Sequence, residues 1–169
     1  MNIEIEEVLE DNISLIHEMA HEVWPETFKN ILSNEQIAYM MNMMYSIEAL
    51  KNQLKNNCRF LVAQQQQKNV GFASFEVGYM NNPNCTKLHK IYILTQYQRS
   101  GFGKLLIKEI EKIAKDNVCT TLSLNVNRYN TAAIAAYEKL SFKVTKQEDI
   151  NIGNGYLMED FVMEKSLLS

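Results

Sequence analysis

Polar and apolar positions alternate at the start of the chain, where Ile3 and Ile5 are set against Glu4, Glu6 and Glu7, and this predicts a first strand over 2–8. Ile13, Ile16, Met19, Ala20 and Val23 then recur at helical spacing, with Asp11 placed to cap the helix they define. Pro25 is expected to end or bend that helix near Trp24, because proline lacks the N–H and crowds the preceding turn. Ser33-Asn34-Glu35-Gln36 reads as a capping box opening a second helix through Tyr39, Met40, Met43 and Met44. Ser46 starts a further turn or two through Leu50 and Leu54.

The pattern shortens in the middle of the chain. Arg59 to Ala63 and Val70 to Val77 read as an antiparallel hairpin around the polar turn from Gln64 to Asn69. Leu88 to Leu94 is a third strand of this block, and helical spacing returns after Gly103 with Leu106, Ile110, Ile113 and Ala114. Thr120 to Val126 predicts a strand and Thr131 to Leu140 a helix. Phe142 to Glu148 and Tyr156 to Met163 predict two closing strands around Gly153-Asn154-Gly155. This order, without internal repeats or a linker, predicts one mixed α/β domain over 1–169.

Composition narrows the class. The 169 residues are 46 % apolar and 22 % charged, as in folded soluble domains. Apolar runs fall well short of the roughly eighteen residues that cross a bilayer, and the acidic N-terminus is unlike a signal peptide. A cytoplasmic location without membrane association is expected. Cys58, Cys85 and Cys119 are odd in number and widely spaced, so neither a disulfide framework nor a zinc motif is encoded. The sequon Asn84-Cys85-Thr86 has no meaning without secretion. A net charge of −3 argues against a nucleic-acid surface. Ten acidic and four basic residues fall within 1–60, and ten acidic and thirteen basic ones within 61–169. A polyanion would favour the later part and a cation the earlier one.

Gln98-Arg99-Ser100-Gly101-Phe102-Gly103 carries two of only six glycines, between a strand and an amphipathic helix. Glycine lets a backbone approach a ligand closely, and a helix start presents free N–H groups and a positive dipole end to an anion. Arg99 and Lys104 add charge and Ser100 a hydroxyl. A tight turn without a ligand uses the same glycines, so the turn alone leaves both readings open. The third glycine and ribose-binding acid of a dinucleotide site are missing, as is the Gly-Lys-Ser/Thr of a P-loop.

This segment resembles the Gln/Arg-x-x-Gly-x-Gly/Ala signature of the GCN5-related N-acetyltransferases, and the order of elements resembles that fold along nearly the whole chain. The resemblance implies a mostly antiparallel sheet of about seven strands flanked by helices, splayed at the strands 88–94 and 120–126. It implies acetyl-CoA as cofactor, with Ile91, Tyr92 and Ile93 along the pantetheine arm, which the free backbone groups of Ile91 and Ile93 would bind. Gln98, Arg99, Ser100, Gly101, Phe102, Gly103 and Lys104 would hold the pyrophosphate. Asn130 to Phe142 resembles a second family segment, Asn-x-x-Ala-x-x-x-Tyr-x-x-x-Gly-Phe. By that likeness Asn130 contacts the cofactor and Tyr137 is the general acid near its sulfur. Ser141 stands where the family usually has glycine, which suggests a different helix ending.

Acetyl transfer to an amine needs an oxyanion donor, a proton for the leaving thiolate and a base for an ammonium of pKa about 10. The N–H of Ile93 is expected to serve the first role and Tyr137 the second. His89, on the same strand, is the candidate base. His17 and His21 lie four apart on the first helix, but no third ligand accompanies them, so a packed or solvated helix face is expected and no metal. In this fold the first helices and the last hairpin hold the acceptor. Here that brings in Trp24, Phe28, Tyr39 and Tyr45 with four neighbouring methionines, and the region around Tyr156; packing of the helices accounts for most of the aromatics equally well. The segment from Ser33 to Leu54 resembles the polyamine and diamine acetyltransferases, so a small cationic amine is the expected acceptor. A protein N-terminus or lysine, a non-catalytic acyl-CoA-binding module and a homodimeric assembly all stay open.

Overall fold

The computed structural model describes residues 2–168. Its elements are β1 (Ile3–Val8), α1 (Ser14–Phe28), α2 (Asn34–Tyr45), α3 (Ile47–Lys55), β2 (Arg59–Gln65), β3 (Lys68–Val77), β4 (Cys85–Ile93), α4 (Phe102–Asp116), β5 (Thr121–Asn127), α5 (Thr131–Lys139), β6 (Lys143–Gly153) and β7 (Tyr156–Ser166). The strands form a seven-stranded sheet in the order β1-β2-β3-β4-β5-β7-β6, mostly antiparallel, as the family resemblance implies. The chain divides into two compact units, one running to Glu76 and resuming over Lys90–Ile110, the other formed by Val77–His89 and the chain from Glu111 on.

In the first unit β2 lies antiparallel between β1 and β3, with Ile5 opposite Ala63 and Val62 opposite Phe72. The buried face of α1, Ile16, Ala20, Val23 and Trp24, joins Tyr45 of α2 and Phe72 of β3 in one core. Trp24 stacks on Phe28 at 4.3 Å, and Tyr45 meets Phe72 at 6.2 Å and 80°. One local expectation fails here, and at Pro25 one of its two expected outcomes is excluded. Asp11 does not cap α1: residues Glu10–Asn12 form a 3-10 turn, and bonds from Asn12 N to Leu9 O and Ile13 N to Glu10 O satisfy the donors a cap would serve. Pro25 does not end α1, which continues to Phe28. Burial of Trp24 and Phe28 on the same face outweighs the one bond that proline removes. Ser33 and Ser46 cap α2 and α3 through Gln36 N and Ala49 N, both at 3.1 Å.

In the second unit β4 begins parallel to β5, with Cys85 opposite Thr121 through Leu88 opposite Leu124. Among the described residues that ladder ends there, while β4 runs on to Ile93 and β5 to Asn127. β5 pairs antiparallel with β7, and β7 with the exposed β6. The β6–β7 turn sets Gly153, Asn154 and Gly155 at φ of 88°, 53° and 78°, backbone that this triplet adopts at little cost.

Candidate active site

The first unit contributes a strand, a turn and a helix start. Ile91, Tyr92 and Ile93 close β4, and Gln98 Nε2 donates back to Ile93 O at 3.1 Å. The turn is held by Phe102, 2 % exposed, which meets Tyr97 edge-on at 6.3 Å. Below it Leu106, Ile107 and Ile110 bury one face of α4, which fixes the helix start. Arg99 and Gly101 take left-handed backbone, φ 63° and 86°. A Cβ at Gly101 would meet nothing within 4 Å, so the space over the turn is open and the glycine is required by its conformation. At Gly103 an added Cβ would come only to 3.9 Å from Ile93 Cγ1. Leu105 N is the first helical donor to find a carbonyl, that of Gly101. The N–H groups of Phe102, Gly103 and Lys104 lie in the first turn, ahead of any carbonyl the helix can offer them. Arg99, Ser100 and Lys104 are exposed, and neither cation has a partner among the described residues. Alternating left-handed residues, free N–H groups and unpaired cations make a seat for a polyanion.

Gly71 on β3 is a residue the sequence reading missed. A Cβ there would fall 2.5 Å from Ile93 Cδ1 and 2.8 Å from Tyr92 O. The β3 backbone therefore touches the end of β4, and Val70 O accepts from Leu94 N at 2.9 Å. No pattern in the sequence marks such an approach; a glycine inside an apolar strand is the only sign.

Of the aromatic residues expected at the acceptor, Trp24, Phe28 and Tyr45 are 3 %, 5 % and 1 % exposed, and Trp24 Nε1 donates to Tyr45 Oη at 3.0 Å. They are core side chains, and only Tyr39 of the four is part-exposed. Beside them Lys90 is half-buried, donating to Gln53 Oε1 at 2.8 Å and lying 5.4 Å over the Tyr45 ring. Burial pulls its ammonium down to a pKa of about 8.

The second unit holds Asn130, Tyr137 and His89. Asn130 caps α5, its Oδ1 accepting from Ala133 N at 3.3 Å, and Tyr137 lies seven residues on, nearly two turns along the same face. Tyr137 is half-buried with its ring 5.8 Å from Phe142, and its hydroxyl has no partner among the described residues. Burial pushes that phenol well above its ordinary pKa, so it is a neutral donor at physiological pH. Ser141 departs from the family residue but not from the family geometry. At φ 72° it bonds Glu138 O, while Phe142 N bonds Tyr137 O, which is the left-handed ending that glycine would give.

His89 meets Tyr79 edge-on, 5.4 Å between centroids at 77°, and Lys87 Nζ lies 5.5 Å from the centroid of the same Tyr79 ring. Lys87 is 8 % exposed and donates to Asn125 Oδ1 at 2.5 Å. Asn125 Nδ2 reaches Glu148 Oε2 and Asp160 Oδ2, both at 3.2 Å. Burial lowers the pKa of Lys87 and raises that of Asp160. This network also escaped the sequence reading, although Asn125 within the apolar strand Leu122–Val126 was its visible trace.

Comparison with known proteins follows the same line. The acetyltransferase (GNAT) family profile matches residues 16–142. A spermidine N(1)-acetyltransferase of Thermoplasma acidophilum is 29 % identical over 170 residues, covering 98 % of each chain. The crystal structure of the PaiA N-acetyltransferase from Thermoplasma acidophilum in complex with coenzyme A superposes with a TM-score of 0.80 at 29 % identity, over 98 % of this chain and 99 % of that one. A GCN5-related N-acetyltransferase structure from Rhodopseudomonas palustris gives the same TM-score at 19 % identity, over 98 % and 96 %, which shows the shared fold. No helix among the described residues is long and apolar enough to cross a membrane.

Proposed function

The chain belongs to the acetyltransferase (GNAT) family, and we propose that it transfers the acetyl group of acetyl-CoA to a primary amine of a small cationic acceptor, by direct attack in a ternary complex. The observation that carries this is the segment Ile91–Lys104, with its open turn, free first-turn N–H groups and unpaired Arg99 and Lys104. The whole-length likeness to a spermidine acetyltransferase and the acidic excess within 1–60 support the cationic acceptor.

Gln98 to Lys104 would hold the pyrophosphate, with Asn130 and the Ile91–Ile93 backbone along the rest of the cofactor. When bound, acetyl-CoA supplies a thioester carbonyl open to an amine. The Ile93 N–H donates to the oxygen on which charge develops. His89 takes the ammonium proton, directly or through water, so that nitrogen can form the new N–C bond as the C–S bond breaks. Tyr137 donates to the departing sulfur. A thiol has a pKa of about 8.5, below that of the buried phenol. Tyr137 therefore works chiefly by holding a hydrogen bond to the thiolate, whose proton comes finally from solvent. Trp24, Phe28 and Tyr45 shape the acceptor region from beneath, with Tyr39 at its surface.

Free thiol released from acetyl-CoA across a panel of diamines, polyamines, amino acids and peptides tests the reading. Diamines and polyamines are expected to be turned over, with Tyr137→Phe slower by about 10²-fold. Turnover of none of the amines would refute the activity, and a normal rate in Tyr137→Phe would remove that residue from it.

A further inference from the structure

His17 and His21 sit one turn apart on α1, with ring centroids 4.1 Å apart and tilted 45°. Each commits Nδ1 to a backbone carbonyl, His17 to Tyr45 O at 2.6 Å and His21 to His17 O at 2.8 Å. A carbonyl only accepts, so each Nδ1 carries the proton and each neutral ring presents Nε2 as a lone pair. Neither Nε2 has a partner among the described residues. Both rings line a groove of about 460 Å³ between α1 and α2, together with Pro25, Asn34, Asn42 and Ser46. The helix beneath them is fixed, since Ile16, Ala20 and Val23 are at most 1 % exposed.

We propose that His17 and His21 bind one first-row divalent transition-metal ion, of the Zn²⁺, Ni²⁺ and Cu²⁺ class, through their Nε2 atoms. Neutral imidazole is the side chain these ions select. Two histidines at i and i+4 share a helix face, and His17-Glu18-Met19-Ala20-His21 has the H-E-x-x-H spacing in which such a pair chelates zinc. A ligating imidazole characteristically donates its other N–H to a carbonyl or carboxylate, which fixes ring and tautomer, and both rings already do so. The amide oxygens of Asn34 and Asn42, the Ser46 hydroxyl and water are available to fill the remaining positions. Glu18 is not among the groove residues, so the site binds metal and is no hydrolytic centre. Packing alone explains His17, which satisfies a carbonyl at the end of α2. It leaves His21 unexplained, because that ring is exposed and bonds only within its own helix.

Untagged, metal-stripped protein titrated calorimetrically with Ni²⁺ and with Zn²⁺ is expected to take up one ion per chain. His21→Gln is expected to weaken binding by about tenfold or more, on the scale of disrupted metal sites. Cu²⁺ at one equivalent should show hyperfine coupling to two nitrogens, reduced to one in the variant. His17→Gln also removes the bond to Tyr45 O, so His21→Gln carries the test, with its metal-free melting temperature as the folding control. Absence of one-to-one binding at micromolar metal, or binding undiminished in His21→Gln, would overturn the proposal.

Discussion

Replacing Gly71 by alanine places a methyl carbon 2.5 Å from Ile93 Cδ1, 2.8 Å from Tyr92 O and 3.2 Å from Ile93 Cα. Carbon contacts settle near 3.5–4.0 Å, so the end of β4 must retreat by about 0.5 Å or more. Ile93 Cδ1 can rotate away, but Tyr92 O is backbone and moves only with its strand. Overpacking of this kind costs about 1–3 kcal/mol, offset by the roughly 0.5–1 kcal/mol that alanine gains over glycine in a strand. A net loss of about 1–2 kcal/mol should lower the melting temperature by about 2–8 °C for a chain of this size. The retreat also moves the Ile93 N–H proposed as oxyanion donor. An error of about 1 Å in such a group costs on the order of 10²-fold, so kcat should fall roughly tenfold with a smaller change in KM for acetyl-CoA. Gly103→Ala is the contrasting variant, since its Cβ would meet only Ile93 Cγ1 at 3.9 Å. It should keep or gain stability, by up to about 1 kcal/mol from helix propensity, yet raise KM for acetyl-CoA by adding a methyl group to the proposed pyrophosphate seat. Differential scanning calorimetry with steady-state kinetics reads both. A Gly71→Ala protein with unchanged melting and unchanged kcat would show that the end of β4 does not depend on this close approach.

Ser141→Gly should stabilise the fold by about 0.5–1 kcal/mol, because the left-handed residue costs about 1–2 kcal/mol with a side chain while the two bonds of the helix ending are kept; urea midpoints check this. Lys90 titrates at about 8 in the folded chain and near 10.4 when unfolded, so between those values the unfolded state holds more protons and stability rises with pH. Lys90→Met should therefore be more stable than the parent below pH 8, and the gap should shrink by about 1.4 kcal/mol per pH unit above it, as read from urea melts at pH 7 to 10. Asn125→Ala removes the acceptor of Lys87 and the donor to Glu148 and Asp160, and should cost about 2–4 kcal/mol in the same assay.

Local periodicity made most strands and the helix faces legible, because a buried face repeats every two residues in a strand and three to four in a helix. It failed where packing between distant segments decides. Pro25 reads as a helix end or bend because its local penalty is visible, whereas the burial of Trp24 and Phe28 that carries the helix on to Phe28 is not. Lys87, Asn125, Glu148 and Asp160 come from four strands, and only Asn125, polar within its own strand, is marked by its neighbours in the chain. The turn at Arg99 to Lys104 is the opposite case, since helix dipole, glycine conformation and charge are all local properties. Tyr137 lies between these extremes. A phenylalanine could make the same ring contact with Phe142, and the half-buried Tyr137 hydroxyl bonds to no group among the described residues. The packing of the folded chain thus makes no use of the hydroxyl at 137. A donor left free by the fold is available to a bound ligand, and the departing sulfur of the thioester is the acceptor that the proposed chemistry supplies.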